Sequence, residues 1–330
     1  MMLAGGRGER FWPLSQPSCP KQFLSIFDDK PLLVQTMERT QGYFTKEERL
    51  FIIPRELRGL TRKHIGNENI VVEPVRRNTA PAICLAAMVL RRRFGDGVMH
   101  VMPADHLIKP KRAFISALRH GEKLARNGYL VTYGIRPDRP ETGYGYIRIG
   151  RTIGSSGRNR SYEGAGFTEK PGAARARQYV RNRRYLWNSG IFTFRVQTLL
   201  DEIERFVPEV YKGVEKFVMQ GRVRHFERVP DISIDYGVME KSQRLCVVEG
   251  NFAWDDVGSW LALERYFKPD RAQNVLVGDA RGIQIADSIM LSYDVPLRAY
   301  DVEGIIVVVS QHGVLVCSKK RAQDLKKLFK

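Results

Sequence analysis

The sequence has few cysteines and no long hydrophobic run. Its four cysteines stand far apart in 330 residues, which argues against a disulfide framework or a thiolate zinc site and fits a reducing cytoplasm. The longest apolar stretch covers about residues 82–90, far short of the roughly 18 residues that a membrane-spanning helix requires. The first residues lack the apolar core of a signal peptide. These absences predict a cytoplasmic protein with no membrane partner.

Acidic residues are scarce relative to basic ones. The chain has 54 Lys and Arg against 36 Asp and Glu, a formal net charge of +18 at pH 7. This excess predicts an anionic partner, such as a nucleic acid, an acidic surface or a phosphorylated small molecule. The basic runs at residues 91–93 and 319–321 lie near expected helix ends, and no recognised nucleic-acid motif accompanies them. We therefore expect no nucleic-acid partner.

Short β-branched runs alternate with longer helical patterns, as is typical of a parallel sheet with crossover helices. Strands are expected at Met1–Ala4, Leu50–Ile53, Ile70–Glu73, Val98–Met102 and Leu130–Ile135. Helices are expected near Leu32–Tyr43, Glu56–His64, Thr79–Phe94 and Arg112–Asn127. This order predicts a doubly wound α/β domain whose functional site lies beyond the C-terminal ends of its strands.

The pattern changes after Pro269. Residues 274–318 contain short β-like runs without a fixed repeat period, at Val275–Val277, Gly282–Ile285 and Ile305–Val309. We therefore expect an α/β domain over residues 1–270 and a small all-β domain over residues 271–330 that closes with a helix from Lys319. The stretch Gly154–Arg160 is interpreted as an exposed turn or loop inside the first domain, and not as a domain boundary, because strand-like segments flank it on both sides.

A glycine-rich loop follows the first strand directly. It reads Ala4-Gly5-Gly6-Arg7-Gly8-Glu9-Arg10, and Lys21 follows soon after. Glycines let backbone N–H groups approach phosphate oxygens, and Arg7, Arg10 and Lys21 add positive charge. The loop is neither a Walker A loop nor a dinucleotide fingerprint, because it lacks the Gly-Lys-Ser/Thr and the third glycine of those motifs. The pattern favours a phosphate loop, with a tight turn and solvated arginines as the alternative.

Ordered blocks along the chain resemble the sugar-nucleotide pyrophosphorylases in their mannose-1-phosphate guanylyltransferase form. The blocks are residues 5–15, 20–23, 77–82, 103–106, 141–146, 169–171, 187–190, 233–236 and 256–260. The resemblance covers nearly the whole chain and implies a Rossmann-like, doubly wound mixed sheet of the nucleotidyltransferase, glycosyltransferase-A-like kind. It also implies a short C-terminal left-handed β-helix. Members with a second, isomerase domain are longer, so we expect a monofunctional form.

The resemblance implies transfer of GMP from GTP to mannose 1-phosphate, which yields GDP-mannose for glycan or polysaccharide synthesis, and pyrophosphate. The attacking sugar phosphate is already anionic at pH 7, since the second pKa of a phosphate monoester is about 6, so no general base is required. Catalysis then depends on aligning two polyanions and neutralising their charge. The alternatives are another sugar 1-phosphate, another nucleoside triphosphate, or a non-catalytic nucleotide-sugar sensor. The family likeness also suggests a homodimer.

The same resemblance assigns roles to individual residues. Asp105 and Asp256 are expected to hold Mg²⁺, which takes one or two carboxylates plus phosphate oxygens, and Asp255 is the competing neighbour. Arg10 and Lys21 are expected to act on the triphosphate and the leaving pyrophosphate, and Lys170 on the sugar phosphate. The nucleotide-binding residues would be Leu3, Ala4, Gly5, Gly6, Gly8, Arg10, Lys21, Asn78, Thr79 and Asp105. The sugar-phosphate residues would be Tyr144, Gly145, Glu169, Lys170 and Asn188.

Structural alternatives accompany these roles. Asp105 could cap a turn before a helix, Asn78 and Thr79 could form a helix N-cap, and any one cation could be a surface charge. Glu9 departs from the family, which usually has a small residue there, and its carboxylate would repel a triphosphate unless it points away. The six histidines show no metal-ligand spacing and are interpreted as structural or surface groups.

Overall fold

The computed structural model describes residues 1–6 and 8–329. Arg7, to which the sequence assigns a phosphate-binding charge, lies outside the described residues. Within the described part of the chain, no helix is long and apolar enough to cross a membrane.

Strands and helices alternate through most of the chain. The strands are β1 Met2–Leu3, β2 Leu50–Pro54, β3 Asn69–Glu73, β4 Val98–Pro103, β5 Leu107–Lys109, β6 Leu130–Ile135, β7 Tyr146–Ser156, β8 Asn159–Thr168, β9 Tyr185–Arg195, β10 Leu245–Glu249, β11 Ala253–Asp255, β12 Val275–Ala286, β13 Ile289–Glu303, β14 Ile305–Ser310 and β15 Gly313–Ser318. The α-helices are α1 Leu32–Thr40, α2 Arg58–Ile65, α3 Thr79–Phe94, α4 Lys111–Arg126, α5 Ala173–Arg181, α6 Val196–Phe206, α7 Pro208–Gln220, α8 Val223–Glu227 and α9 Leu263–Tyr266. Turns of 3-10 helix cover Glu9–Phe11, Lys21–Phe23, Arg55–Leu57, Trp260–Ala262 and Lys319–Phe329, and a π-helical turn covers Asp235–Met239.

The chain divides into two compact units. Unit 1 consists of Met1–Gly5, Glu38–Ala104 and Ile108–Trp254, and unit 2 consists of Gly6–Met37, Asp105–Leu107 and Asp255–Lys330. Three elements, α1, β5 and β11, therefore run from one unit into the other. The expected domain boundary near residue 270 stays a prediction.

Unit 1 is built on a mixed nine-stranded sheet. Its strand order is β3-β2-β1-β4-β9-β6-β10-β8-β7. The short β1 lies between β2 and β4 and runs parallel to both, with Leu3 opposite Ile52 and Pro103. The strand β9 is antiparallel to β4, β6 and β7. The expected strands over the first 135 residues are confirmed, and so is the mixed α/β fold class.

The helix α3 illustrates how the sequence sets an element. It begins at Thr79 because the Asn78 side chain accepts a hydrogen bond from the Thr79 N–H at 2.9 Å. Residues 80–88 are buried, and the helix joins α6 and α7 in the main apolar core. Arginines occupy its last turn, where cations favour the helix dipole, and Gly95 ends it with a φ of 76°.

Two sequence-based boundaries were wrong. The turn expected within Gly154–Arg160 is present but shorter than predicted, because β7 runs to Ser156 and β8 starts at Asn159, which leaves a two-residue hairpin turn. Gly157 provides the positive φ of 58° that such a tight turn requires. The helix α1 ends at Thr40 rather than Tyr43, and Gly42 in the following turn has a φ of 78°.

Unit 2 contains a four-stranded sheet in the order β12-β13-β14-β15. The first three strands are parallel, which agrees with a β-helix-type segment, and β15 is antiparallel to β14. The runs expected at Val275–Val277 and Gly282–Ile285 form one strand with a register shift, and the long strand β13 was missed. The terminal helix is confirmed as a 3-10 helix, Lys319–Phe329, whose Ala322 and Leu325 are buried in the apolar core of this unit.

Candidate active site

A cavity of about 350 Å³ in unit 2 collects much of the predicted phosphate and metal machinery. Its lining includes the predicted residues Gly6, Gly8, Arg10, Lys21, Asp105 and Asp256. Three segments distant in sequence therefore meet at one cavity: the glycine loop with Lys21, the turn after β4, and the turn after β11. Glu9 lines the same cavity, so the departure from the family pattern faces the predicted phosphate site.

Gly8 allows the loop to approach Lys21 closely. Its φ is 66°, and a Cβ added there would lie 2.6 Å from both the Cβ and the backbone N of Lys21. A hydrogen bond from Ser15 Oγ to the Gly8 carbonyl, 2.7 Å long, fixes the turn. Phe11 anchors the next turn in the core, with its ring centroid 4.9 Å from that of Trp260. Only glycine fits the position where loop and cation meet.

Lys21 joins the two segments that carry the predicted metal ligands. Its Nζ lies 2.8 Å from Asp105 Oδ2 and also donates to the Asp256 carbonyl, while the residue is only 7% exposed. Burial opposes ionisation of Asp105, but the charges of Lys21 and then His106 outweigh it, so the pKa of this carboxyl lies below its usual value. The result is an ionised carboxylate and a buried ammonium held at the cavity wall.

The two neighbouring carboxylates Asp255 and Asp256 have different surroundings. Asp255 is 4% exposed, accepts a hydrogen bond from Arg265 Nη2 at 2.8 Å and another from the Val257 N–H at 2.7 Å. Asp256 instead lines the cavity. The structure therefore gives Asp255 a structural ion pair and leaves Asp256 as the carboxylate that a phosphate-bound cation could reach.

Backbone strain accompanies these positions. Val257 has a φ of 48°, which is a rare conformation for a β-branched residue. The hydrogen bond from its N–H to Asp255 holds that conformation. Lys170 and Asn78 also have positive φ values, 49° and 69°. Strained residues of this kind cluster at functional sites, because the surrounding structure must maintain them.

The donor set and charge balance of the cavity fit a magnesium ion. Among its described lining residues, the cations Arg10, Lys21 and Lys326 face the carboxylates of Glu9, Asp105 and Asp256. These described residues carry no formal excess of positive charge, so a divalent cation bound here would add charge to offset a triphosphate. A Cβ at Gly258 would lie 3.0 Å from Asp256 Oδ2 and 3.4 Å from Arg10 Nη1, so the glycine keeps space beside both groups. Among the described residues, no three His, Cys, Asp or Glu side chains lie together in a way that could hold a metal ion.

The predicted sugar-phosphate residues form a second cluster, within unit 1. The Asn188 N–H donates to the Gly145 carbonyl at 2.8 Å, and the Lys170 N–H donates to the Tyr144 carbonyl at 3.2 Å. Lys170 Nζ lies 2.5 Å from Glu169 Oε1. Burial lowers the pKa of Lys170, but the Glu169 carboxylate outweighs it and raises the pKa above its usual value. All five residues predicted to bind the sugar phosphate are therefore neighbours in the structure.

Gly145 is required by close packing. A Cβ at this position would lie 2.4 Å from Glu169 Oε2 and 3.2 Å from the Phe167 ring. Tyr144 packs its ring against Trp187 and Trp254, with centroid distances of 5.2 and 5.0 Å. The cluster therefore combines an aromatic wall with polar groups, as small-molecule sites commonly do.

Asp235 belongs to this cluster and was missed by the sequence reasoning. Its Oδ1 accepts a hydrogen bond from Asn188 Nδ2 at 2.8 Å, while Asn188 Oδ1 accepts one from Thr132 Oγ1, also at 2.8 Å. Burial and the neighbouring Glu169 charge raise the pKa of Asp235 to about 7. Its presence in the matching block at residues 233–236 was the one available signal.

The remaining predicted nucleotide residues have structural roles in unit 1. Leu3 lies in β1, the Ala4 N–H donates to the Ile52 carbonyl at 3.0 Å, and the Gly5 carbonyl accepts from Arg76. Asn78 caps α3, as the alternative interpretation expected. The Oγ1 of Thr79 accepts a hydrogen bond from the Ile234 N–H at 2.8 Å. Binding of the guanine base by this pair stays a prediction.

Residues 1–273 match the nucleotidyl transferase family. The chain belongs to this family. A mannose-1-phosphate guanylyltransferase of Salmonella typhimurium (strain LT2) is 39% identical over an alignment of 348 positions that covers 99% of this chain and 71% of that protein. A mannose-1-phosphate guanylyltransferase of Klebsiella pneumoniae is 39% identical over an alignment of 344 positions that covers 99% of this chain and 72% of that protein. A crystal structure described as mannose-1-phosphate geranyltransferase from Thermus thermophilus matches with a TM-score of 0.90 and 36% identity, covering 99% of this chain and 97% of that one.

Membership of the nucleotidyl transferase family confirms the resemblance found in the sequence, and it makes the chain an enzyme of the nucleotidyltransferase class. The fold of the solved relative extends over nearly the whole chain, including the C-terminal strands. The roles of single residues, the metal and the nucleotide stay predictions.

Proposed function

We propose that this nucleotidyltransferase transfers GMP from GTP to mannose 1-phosphate and releases GDP-mannose and pyrophosphate. The observation that carries the proposal is the cavity of unit 2, where Arg10, Lys21, Asp105 and Asp256 converge. The names of the relatives from Salmonella and Klebsiella support the sugar and the guanylyl group. Product GDP-mannose would serve the synthesis of mannose-containing polysaccharides in the cytoplasm.

The chemistry requires positioning rather than proton transfer. A phosphate oxygen of mannose 1-phosphate attacks the α-phosphorus of GTP, a new P–O bond forms, and the bond from the α-phosphorus to the bridging oxygen breaks. Pyrophosphate departs with that oxygen and its electron pair. Because the attacking oxygen is already anionic near pH 7, no side chain has to remove a proton.

Asp105 and Asp256 would hold Mg²⁺, which supplies neutralising charge on the phosphate oxygens when bound. Lys21 contacts Asp105 at 2.8 Å, and it would turn toward phosphate oxygens as the nucleotide arrives. Arg10 can bind two oxygens at once through its planar guanidinium. In these roles both cations stabilise the charge that develops on pyrophosphate. The backbone from Leu3 through Gly8 would follow the nucleotide, and Asn78 and Thr79 would contact the base.

The unit 1 cluster would bind the sugar phosphate. Lys170 is the phosphate cation, and its ion pair with Glu169 at 2.5 Å sets its orientation. Glu169, Asn188 and the Tyr144–Gly145 backbone offer donors and acceptors to the mannose hydroxyls. The missing side chain at Gly145 lets the Glu169 carboxylate approach the backbone here, since a Cβ would lie 2.4 Å from its Oε2.

The first test is chromatography of a reaction that contains the full chain, GTP, mannose 1-phosphate, Mg²⁺ and pyrophosphatase. Matched reactions replace GTP by ATP or UTP, and mannose 1-phosphate by glucose 1-phosphate. We expect a GDP-mannose peak that disappears with EDTA. A larger product peak from another pair would replace the proposed substrates, and no product from any pair, with folded protein, would favour a nucleotide-sugar sensor.

We also propose that the chain forms a homodimer. The C-terminal sheet exposes several large apolar side chains: Ile283, Tyr300 and Val316 are 68%, 69% and 64% exposed. Ile283 and Tyr300 are cross-strand partners in β12 and β13. Neighbouring exposed apolar residues of this kind mark interaction surfaces. Light scattering should give twice the 37.8 kDa chain mass, and a monomer at working concentrations would contradict the proposal.

A further inference from the structure

The terminal 3-10 helix, Lys319–Phe329, extends along the turn that follows the glycine loop. In a 3-10 helix, residues three apart lie on one face. Gln323, Lys326 and Phe329 form such a row. Gln323 Oε1 accepts a hydrogen bond from Arg10 Nη1 at 3.2 Å, Lys326 lines the phosphate cavity, and the Phe329 ring lies 6.1 Å from that of Trp12. Each member of the row therefore meets the loop segment or the cavity.

The other rows of the helix hold the Gln323–Lys326–Phe329 row in its position. Ala322 and Leu325 are buried in the same apolar cluster as Phe11, which anchors the helix to unit 2. Lys327 and Arg321 both pair with Asp324, at 3.0 Å each, on a different row. The lysines at 326 and 327 are thus neighbours in sequence with different surroundings, one at the cavity and the other in a surface ion pair.

We propose that the terminal helix is part of the phosphate site, in which Lys326 is a further phosphate-binding cation and Gln323 positions the guanidinium of Arg10. The inference rests on the proposed function and deepens it by adding a binding residue for the triphosphate and for pyrophosphate. Lys326 is one of three described cations against three carboxylates in the cavity lining, so its removal leaves these described residues with a formal excess of negative charge. Gln323 accepts one N–H of Arg10 and so limits the rotation of the guanidinium.

The test measures binding rather than transfer. Calorimetry of the full chain with GTP, and separately with pyrophosphate, both with Mg²⁺, compares Lys326→Ala with the matched control Lys327→Ala. We expect Lys326→Ala to weaken both ligands about fivefold to tenfold, with a loss that shrinks at high salt. Lys327→Ala should bind as the parent chain does, and Lys326→Arg should restore most of the affinity. Equal losses in both alanine variants, or none at Lys326, would overturn the role of this lysine.

The positioning role of Gln323 is tested by a double-mutant cycle with Arg10 on pyrophosphate affinity. Gln323→Leu should weaken binding about threefold when Arg10 is present and have no further effect in the Arg10→Ala background. A loss of the same size in both backgrounds would mean that Gln323 acts through the helix alone. Unchanged melting temperatures would exclude unfolding as the cause of either result.

These outcomes separate the inference from the proposed function. A chain that binds GTP and pyrophosphate through Lys326 but makes no GDP-mannose supports the phosphate site and contradicts the proposed transfer. If the parent chain makes GDP-mannose and Lys326→Ala binds GTP and pyrophosphate as the parent does, only the inference about Lys326 is contradicted. Binding of neither ligand by the parent chain overturns both.

Discussion

Substitution of the adjacent carboxylates Asp255 and Asp256 by asparagine should separate stability from catalysis. Asp255 is 4% exposed and pairs with Arg265, whose side chain is 34% exposed. Breaking a buried ion pair costs about 3–5 kcal/mol. Since Arg265 regains water and asparagine keeps one acceptor for the Val257 N–H, we expect Asp255→Asn to lower the free energy of unfolding by about 2–3 kcal/mol.

The corresponding shift in melting temperature follows from the chain length. Unfolding entropy is about 2.1 cal/mol/K per residue, so for a chain of 330 residues that unfolds as one cooperative unit a loss of this size lowers the melting temperature by about 3–4 °C. Asp256→Asn should lower it by less than Asp255→Asn does, because Asp256 lines the cavity and is less buried than Asp255. For turnover we expect the reverse: Asp256→Asn should lose more activity than Asp255→Asn. Loss of a metal carboxylate should reduce it about 10²–10³-fold, whereas Asp255→Asn should retain it within about tenfold.

The assay combines thermal unfolding without ligand and initial rates of GDP-mannose formation over a range of Mg²⁺ concentrations. Asp256→Asn should also require more Mg²⁺ for half-maximal rate, and Asp255→Asn should not. The reasoning is refuted if both variants lose equal activity, or if Asp256→Asn proves the less stable of the two.

Three further substitutions test the other parts of the site. Gly145→Ala places a Cβ 2.4 Å from Glu169 Oε2. It should raise the KM for mannose 1-phosphate at least about tenfold and leave the KM for GTP unchanged. A raised KM for GTP with an unchanged KM for mannose 1-phosphate would contradict the assignment of this cluster to the sugar. Gly8→Ala, with a φ of 66° and a Cβ 2.6 Å from the Lys21 backbone, should lower the free energy of unfolding by about 1–3 kcal/mol and weaken GTP binding, which denaturant titration and calorimetry would measure against the parent chain. The pKa of Asp235 is about 7 in the folded protein against the usual 3.8, so the folded state binds more protons and this carboxyl favours folding below pH 4, with the contribution lost as the pH rises toward 7. Asp235→Asn should therefore flatten the fall in denaturant midpoint between pH 4 and 8, and parallel profiles would show that this carboxyl is not the perturbed group.

Local sequence determined most of the first half of the fold. The buried run Leu50–Pro54 and the capped, alanine-rich helix Thr79–Phe94 carry their pattern within one segment, so spacing and end residues suffice to locate them. The glycine loop and the ordered motifs were likewise sufficient to indicate the family. The pairing of β12 with β13 was not predicted. Parallel strands of a β-helix-type segment pair across turns of irregular length, so the sequence shows no fixed period.

The chemistry of the site depended on which residues come together. Asp255 and Asp256 have the same side chain and adjacent positions, and only the tertiary structure shows that Arg265 neutralises one while the other borders the cavity. Likewise Lys326 carries no distinguishing local pattern, and Asp235 is marked only by its place in the matching block at residues 233–236. The surroundings of Asp235 come from Asn188, and those of Lys326 come from the phosphate cavity. The sequence by itself therefore determined the elements, the family and the candidate residues. Tertiary packing decided which carboxylates and cations share a cavity, because burial and distance set their charge interactions and neither is encoded in local spacing.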